Sequence, residues 1–164
     1  MTFLTKEPVK RVEKILKDYD ANLKVILLDK SARTAKEAAN LLETNVGAIV
    51  KSLLFRAENH FVLCLISGDK KASLNKFKKH LKIKDIEMAK AEDVKLITGY
   101  TIGGVSPVGH IKKIDIFIDN TLNRFNQLFA AAGHSNCVFK IDFKNLVQIT
   151  KGLILDITEW ENLN

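Results

Sequence analysis

The sequence predicts an α+β fold: a mixed β-sheet with helices packed around it. Two observations predict it. Apolar residues recur at helical spacing in several segments, and these alternate with short apolar runs of strand character. Several neighbouring runs, 48–56 with 60–67 and 127–132 with 137–141, have no helix between them, which argues against a purely doubly wound parallel sheet. The chain has 164 residues, 46% hydrophobic and 27% charged, which reads as one domain over 1–164 that needs no disulfide or metal to fold.

The elements follow in order. Val9, Val12, Ile15, Leu16 and Tyr19 form one stripe and predict a helix over 6–19; residues 24–28 read as a strand. Thr34 and Glu37 have the spacing of a capping box, followed by Ala35, Ala38, Ala39 and Leu42 on one helical face. Residues 48–56 and 60–67 read as buried strands joined at Glu58-Asn59. Short helices are expected at 73–80 and 91–98, the second with Glu92 and Asp93 in its first turn and Gly99 as its stop. Strands follow at 114–118, 127–132 and 137–141, then a helix at 142–149 opened by Asp142, then a strand at 153–157.

A formal charge of +7 favours a polyanionic partner, nucleic acid ahead of membrane; a lysine-rich soluble surface explains it as well. The only arginines are Arg11, Arg33, Arg56 and Arg124, so the charge suits diffuse backbone contact better than reading of base edges. Cys64 and Cys137 have no metal spacing, and a disulfide between them is not expected. No signal-peptide pattern and no membrane-length apolar run are seen, so a cytoplasmic protein without membrane attachment is expected.

Two segments carry chemistry. Residues 98–110 hold four glycines and a proline between regular elements. Such a loop can aim backbone N–H groups at one point, as an oxyanion receptor requires, and it can equally be a tight connection. Lys51 interrupts the apolar run Ile49-Val50-Lys51-Ser52-Leu53. Pattern alone leans toward an ammonium pointing at solvent with its stem packed. Ser106 lacks a His/Asp partner pattern and adjoins Pro107, which argues against a nucleophilic triad. His134 can act as acid, base or ligand near neutral pH but by itself reads as an exposed loop residue, and His110 at the end of the glycine loop is a weaker candidate. Asp119 and Thr34 can each face a pocket or cap a turn; for Asp119 the structural role is favoured, and for Thr34 the capping box already accounts for it.

Taken in order, Arg33-Thr34-Ala35, Ile49-Val50-Lys51-Ser52-Leu53, Ser67-Gly68-Asp69, Thr98-Gly99-Tyr100, Gly103-Gly104-Val105-Ser106-Pro107, Asp119 and Ala131-Ala132-Gly133-His134 resemble the YbaK/ProX family of aminoacyl-tRNA deacylases, relatives of the editing domain of bacterial prolyl-tRNA synthetases. The resemblance covers about residues 31–157. It implies a curved or barrel-like mixed sheet flanked by helices, and a trans-editing hydrolase acting on the ester of mischarged tRNA. It implies no cofactor and no metal. It places Lys51 in the active site, holding the phosphate or ribose of the terminal adenosine. Gly103 and Gly104 would shape the oxyanion receptor. Thr34, Ser106, Pro107, Asp119, Gly133 and His134 would line the substrate site. A ribose hydroxyl of the tRNA would help activate water.

By the same resemblance the partner is aminoacyl-tRNA, with tRNA(Pro) the expected acceptor, prolyl-tRNA synthetase a further candidate partner, and no DNA. Ala131-Ala132-Gly133 stands where the cysteine-removing branch carries Ser-Gly-Gly. That points to alanine or a similar small residue, with cysteine, serine and threonine left open. The rival reading is a non-catalytic module of the same fold that binds tRNA or a synthetase. A third is a hydrolase of small amino acid esters.

Overall fold

The computed structural model describes residues 3–161. In chain order the elements are α1 (Glu7–Tyr19), β1 (Val25–Leu27), α2 (Ala35–Leu42), β2 (Ile49–Ala57), β3 (His60–Ser67), β4 (Lys70–Ala72), α3 (Leu74–Leu81), β5 (Ile86–Met88), α4 (Ala91–Thr98), β6 (Asp115–Asp119), β7 (Leu128–His134), β8 (Cys137–Ile141), α5 (Phe143–Thr150), β9 (Leu153–Leu155) and β10 (Thr158–Trp160). The main sheet has the order β1-β8-β7-β2-β3-β6-β9, with β5 also paired to β2. It is mixed: β2/β7, β3/β6 and β6/β9 are parallel, and the other pairs are antiparallel. It curls into a half-barrel flanked by the helices. The short strands β4 and β10 form a separate antiparallel ribbon.

The local chemistry explains these bounds. Thr34 Oγ1 accepts from the Glu37 N–H at 3.1 Å while Glu37 Oε2 accepts from the Arg33 N–H at 3.0 Å, so carboxylate and hydroxyl together tie off the start of α2. Asp142 accepts from the Asn145 N–H and starts α5. Gly99 ends α4 in the left-handed region at φ 82°.

β3 shows why an unbroken apolar run is a strand here. Leu63 and Leu65 pack on one side with Val9, Val12 and Leu16 of α1 and Val94 and Ile97 of α4. Val62, Cys64 and Ile66 pack on the other side with Phe77 of α3 and Phe117. A strand covered on both faces has no polar side to show. Burying each such side chain stabilises the fold by about 1.5–3 kcal/mol. Ala38 and Ala39 of α2 are buried against Ile49 and Val138, the close helix–sheet contact that small residues permit.

Three strands escape sequence reasoning: β4, β5 and β10. Each is three residues long, and each shows only one or two residues' worth of burial, too little for an alternation to register. Residues 46–48 form a 3₁₀ turn, so the strand expected from residue 48 starts at Ile49.

Candidate active site

The site arises where the sheet separates. β2 pairs with β7 only at Ile49↔Phe129 and Val50↔Ala130, and with β5 only from Phe55 onward. Between these two contacts that edge of β2 is uncovered. The separation has a visible cause in β7. A bulge lies between Ala131 and His134, with Gly133 at φ 92°. A side chain at Gly133 would lie 2.8 Å from the Pro8 carbonyl, so α1 presses against the bulge and only glycine fits.

The opening is a cavity of about 770 Å³. Its walls come from the start of α2 (Arg33, Thr34, Ala35), β2 (Ile49 to Leu54), the glycine loop (Ile102, Gly103, Val105) and β7 with the turn after it (Phe129, Ala130, Ala131, His134, Ser135). Met88, Ala89, Val94 and Glu161 also line it.

Lys51 lies in this cavity wall, half-buried. Its Nζ donates to the Lys70 carbonyl at 2.5 Å and lies 3.8 Å from Glu161 Oε2. Burial holds its pKa below the ordinary lysine value, with Glu161 and Asp69 opposing that shift. Asp69 is itself clamped: Arg124 donates to its two oxygens at 3.0 and 2.7 Å. Burial pushes the Asp69 carboxyl up, but hydrogen bonds from Arg124 and Ser67 outweigh it and leave the pKa lowered.

Ser52 was not singled out by the sequence. A strand residue sends its N–H and C=O to the same side, alternating along the chain. The Leu54 carbonyl accepts from the Ala89 N–H at 3.0 Å, so Ser52, two residues earlier, presents both backbone groups toward the same uncovered edge. Its Oγ is buried without a hydrogen-bond partner among the described residues, in the wall of the cavity. One residue thus offers the uncovered edge a donor and an acceptor, with an unpartnered hydroxyl buried just behind the cavity surface.

The glycine loop is held from behind. Tyr100 Oη donates to the Val108 carbonyl at 2.7 Å and to the Gly109 carbonyl at 3.0 Å, and burial pushes its pKa up to about 12. Arg11 Nε also donates to the Gly109 carbonyl, at 2.7 Å. At the loop's tip Gly103 has φ 96° and faces the cavity, where a Cβ would have 3.9 Å of clearance from Arg33 and Ser135. No acceptor takes its N–H among the described residues. Gly104 differs. Its N–H donates to the Thr101 carbonyl at 2.9 Å, and a Cβ there would lie 2.9 Å from the His134 backbone. Gly104 is therefore a close-approach glycine that seats the loop on the β7 bulge, and it is not a free donor.

His134 lines the cavity with its ring stacked on Phe3, centroids 4.3 Å apart. Its Nδ1 accepts from the Asn136 N–H at 3.1 Å, and burial followed by the Lys6 charge lowers its pKa. The neutral ring then carries its proton on Nε2, so His134 is suited to donate a hydrogen bond.

Lys51, Gly103, Thr34 and His134 thus share one cavity; four other expected substrate contacts do not line it. Asp119 is fully buried and accepts from the Thr121 N–H, Thr121 Oγ1, the Ile157 N–H at 3.0 Å and Thr158 Oγ1 at 3.0 Å. It joins β6 to the segment at β10 and does not line the cavity. Ser106 is fully buried, with its Oγ accepting from the Val108 N–H at 3.2 Å and its carbonyl meeting His110 Nε2 at 2.7 Å. Pro107 is buried within the same loop, and Gly133 lies under Pro8. Each holds the shape of a wall from behind. Among the described residues no group of three or more His, Cys, Asp or Glu side chains is placed to hold a metal ion, and no helix is long and apolar enough to cross a membrane.

Comparison with known proteins gives this geometry a context. The proline–tRNA ligase of Caldicellulosiruptor saccharolyticus is 35% identical over 114 residues, which is 70% of this chain and 18% of that enzyme. The chain spans under a quarter of the length of the proline–tRNA ligases it matches. The Bacillus subtilis protein YwhH is 30% identical over 80% of this chain and 85% of its own length. A crystal structure of a candidate trans-editing enzyme for prolyl-tRNA synthetase superposes with a TM-score of 0.88 at 35% identity, covering 94% of this chain and 98% of the other. The sequence pattern of the aminoacyl-tRNA editing domain matches residues 29–149, about three quarters of the length, and the chain belongs to that family.

Proposed function

We propose that this chain is a trans-editing aminoacyl-tRNA deacylase that hydrolyses the ester of tRNA(Pro) carrying alanine or another small non-cognate residue. The observation that carries the reading is that Lys51 and Gly103, about fifty residues apart in sequence, line one cavity. Its volume falls within the range of sites for small organic ligands and admits an adenosine bearing a small acyl group.

Each group has a role in this reading. The Lys51 ammonium holds the phosphate or ribose of the terminal adenosine and positions the ester. The Gly103 N–H stabilises the oxyanion formed when water attacks the carbonyl; one such donor is worth about 3 kcal/mol in the transition state. The Ser52 carbonyl accepts from the substrate's α-ammonium, and His134 donates through Nε2. Neither Lys51, which donates to a carbonyl, nor His134, whose Nδ1 is occupied, is placed as a strong base. A ribose hydroxyl of the substrate activates the water. The acyl pocket, walled by Val50, Leu54, Val94, Val105 and Ala130, is apolar and suits a small side chain. One methylene changes binding there by only about 1–3 kcal/mol, the margin that makes editing of small residues necessary.

Deacylation of alanyl-, cysteinyl-, seryl- and prolyl-tRNA(Pro) by the purified chain tests this. Turnover of one or more non-cognate esters with prolyl-tRNA(Pro) spared supports it. Tight tRNA binding with no turnover would assign a binding module instead.

A further inference from the structure

We propose that Trp160 and Lys70, joined to the cavity through Glu161 and Lys51, form a stacking subsite for the single-stranded nucleotides that precede the terminal adenosine of the substrate. This rests on the deacylase reading.

Trp160 lies on β10 directly opposite Lys70 on β4, and it is 64% exposed, at the high end for so large a ring. The Lys70 ammonium sits 3.6 Å from the indole centroid, and the Arg124 guanidinium is 5.1 Å away. Lys70 is only 6% exposed, and its Nζ has no carboxylate partner among the described residues. Lys51, Lys71 and Arg124 around it each have one: Glu161, Glu159 and Asp69. The Lys70 stem is packed, and its ammonium, held over the indole without a carboxylate partner, is left to meet an anion supplied from outside. An exposed indole supplies a face for a base. A cation beneath an aromatic ring, with a charge still to be balanced, matches a phosphodiester carrying a stacked base.

The subsite is wired to the cavity. The Lys70 carbonyl accepts from Lys51 Nζ, and Glu161, the residue after Trp160, pairs with the same ammonium and lines the cavity. A chain whose last nucleoside fills the cavity therefore leaves it past Trp160. Because the Lys70 link to Lys51 runs through a main-chain carbonyl, Lys70→Gln removes the charge and keeps that link.

Trp160 is the only tryptophan in the sequence, so its fluorescence reports the subsite alone. The full chain is titrated with the 5′-phosphorylated ribotrinucleotide CCA and, separately, with adenosine monophosphate. The expected result is saturable quenching by CCA that weakens with salt, is weakened about tenfold in Lys70→Gln, and exceeds that by adenosine monophosphate. In parallel, Trp160→Ala should lower kcat/KM for alanyl-CCA about tenfold relative to alanyl-adenosine, through KM, with Trp160→Phe recovering most of it. Absence of CCA quenching, or an unchanged ratio between the two esters, overturns the subsite while leaving the deacylase reading intact. Quenching by CCA without hydrolysis of either ester keeps the subsite and overturns the deacylase reading.

Discussion

Lys51 donates to the main-chain carbonyl of Lys70 at 2.5 Å, while its nearest carboxylate, Glu161, stays at 3.8 Å. The ammonium is thus positioned by a neutral acceptor and only loosely compensated by charge. A tight ion pair would quench the field that a phosphate or a developing oxyanion needs; a carbonyl fixes the geometry and leaves most of that field available.

Replacing this group separates stability from activity. Lys51→Met should abolish deacylation, by about two orders of magnitude or more in kcat/KM, while keeping or raising the thermal midpoint, because the dominant influence on Lys51 is the penalty of burying its charge. Parallel melts and single-turnover assays check it. A large drop in midpoint would mean that the lysine is mainly a structural tie.

The lowered Lys51 pKa gives activity and stability opposite slopes at high pH. Activity needs the ammonium, so it falls as pH rises through a value below the ordinary lysine range, after subtraction of spontaneous ester loss. Stability moves the other way. Between the folded and unfolded pKa values the unfolded chain holds more protons, so the contribution of Lys51 to unfolding free energy rises with pH there. Denaturant titrations of the parent and Lys51→Met across alkaline pH isolate this contribution as the difference between the two slopes.

Two adjacent glycines should respond differently. Gly104→Ala drives a methyl against the His134 backbone, so it should lower stability by about 1–3 kcal/mol and disturb activity as a consequence. Gly103→Ala has room for its methyl but must hold φ 96°, which costs about 1–2 kcal/mol or turns the peptide. Its expected signature is a fall in kcat at nearly unchanged KM. Unfolding curves and steady-state kinetics on both variants check the contrast.

Asp119 should behave as a fastener. Asp119→Ala strands the Ile157 N–H and the Thr158 hydroxyl in a buried site, at about 1–3 kcal/mol for each. The expected outcome is a loss of about 3 kcal/mol or more in unfolding free energy, with KM near that of the parent for whatever fraction stays folded. A raised KM at full stability would restore Asp119 to the substrate site.

Ser52 should do the reverse. Its Oγ has no partner to lose, so Ser52→Ala should leave the denaturation midpoint unchanged or raise it slightly. The same change should alter the ranking of amino acids in a deacylation panel, since it removes an unpartnered polar group directly behind the cavity wall. An unaltered ranking would mean that the hydroxyl points away from the acyl group.

The twelve elements expected from the sequence are present because each carries its own local cause: the stripe of α1, the box at Thr34 and Glu37, the two-sided burial of β3. Lys51 in an apolar run and Gly103 in a glycine loop stand out as residue types, but pattern alone leans toward a solvent-facing Lys51 and leaves the loop open as a tight connection; the family resemblance is what joins the two in one site. The site was illegible where the role depends on what fails to pair. Ser52 matters because β7 leaves β2 after Val50 and β5 joins it only at Phe55, and neither departure is written near Ser52. Gly104, Ser106 and Pro107 share a motif with Gly103 yet support the loop from behind, since the chain turns between them. Trp160 and Lys70 meet only because two three-residue strands pair across the fold.

The central claim is that one cavity uses Lys51 and Gly103 to cleave an aminoacyl ester. Single-turnover release of labelled alanine from alanyl-tRNA(Pro), with the parent, Lys51→Ala and Gly103→Ala proteins at matched folded concentration, tests it most directly. The account predicts rapid release by the parent, near-background release by Lys51→Ala and an intermediate rate for Gly103→Ala. Full-rate release by both variants would contradict it.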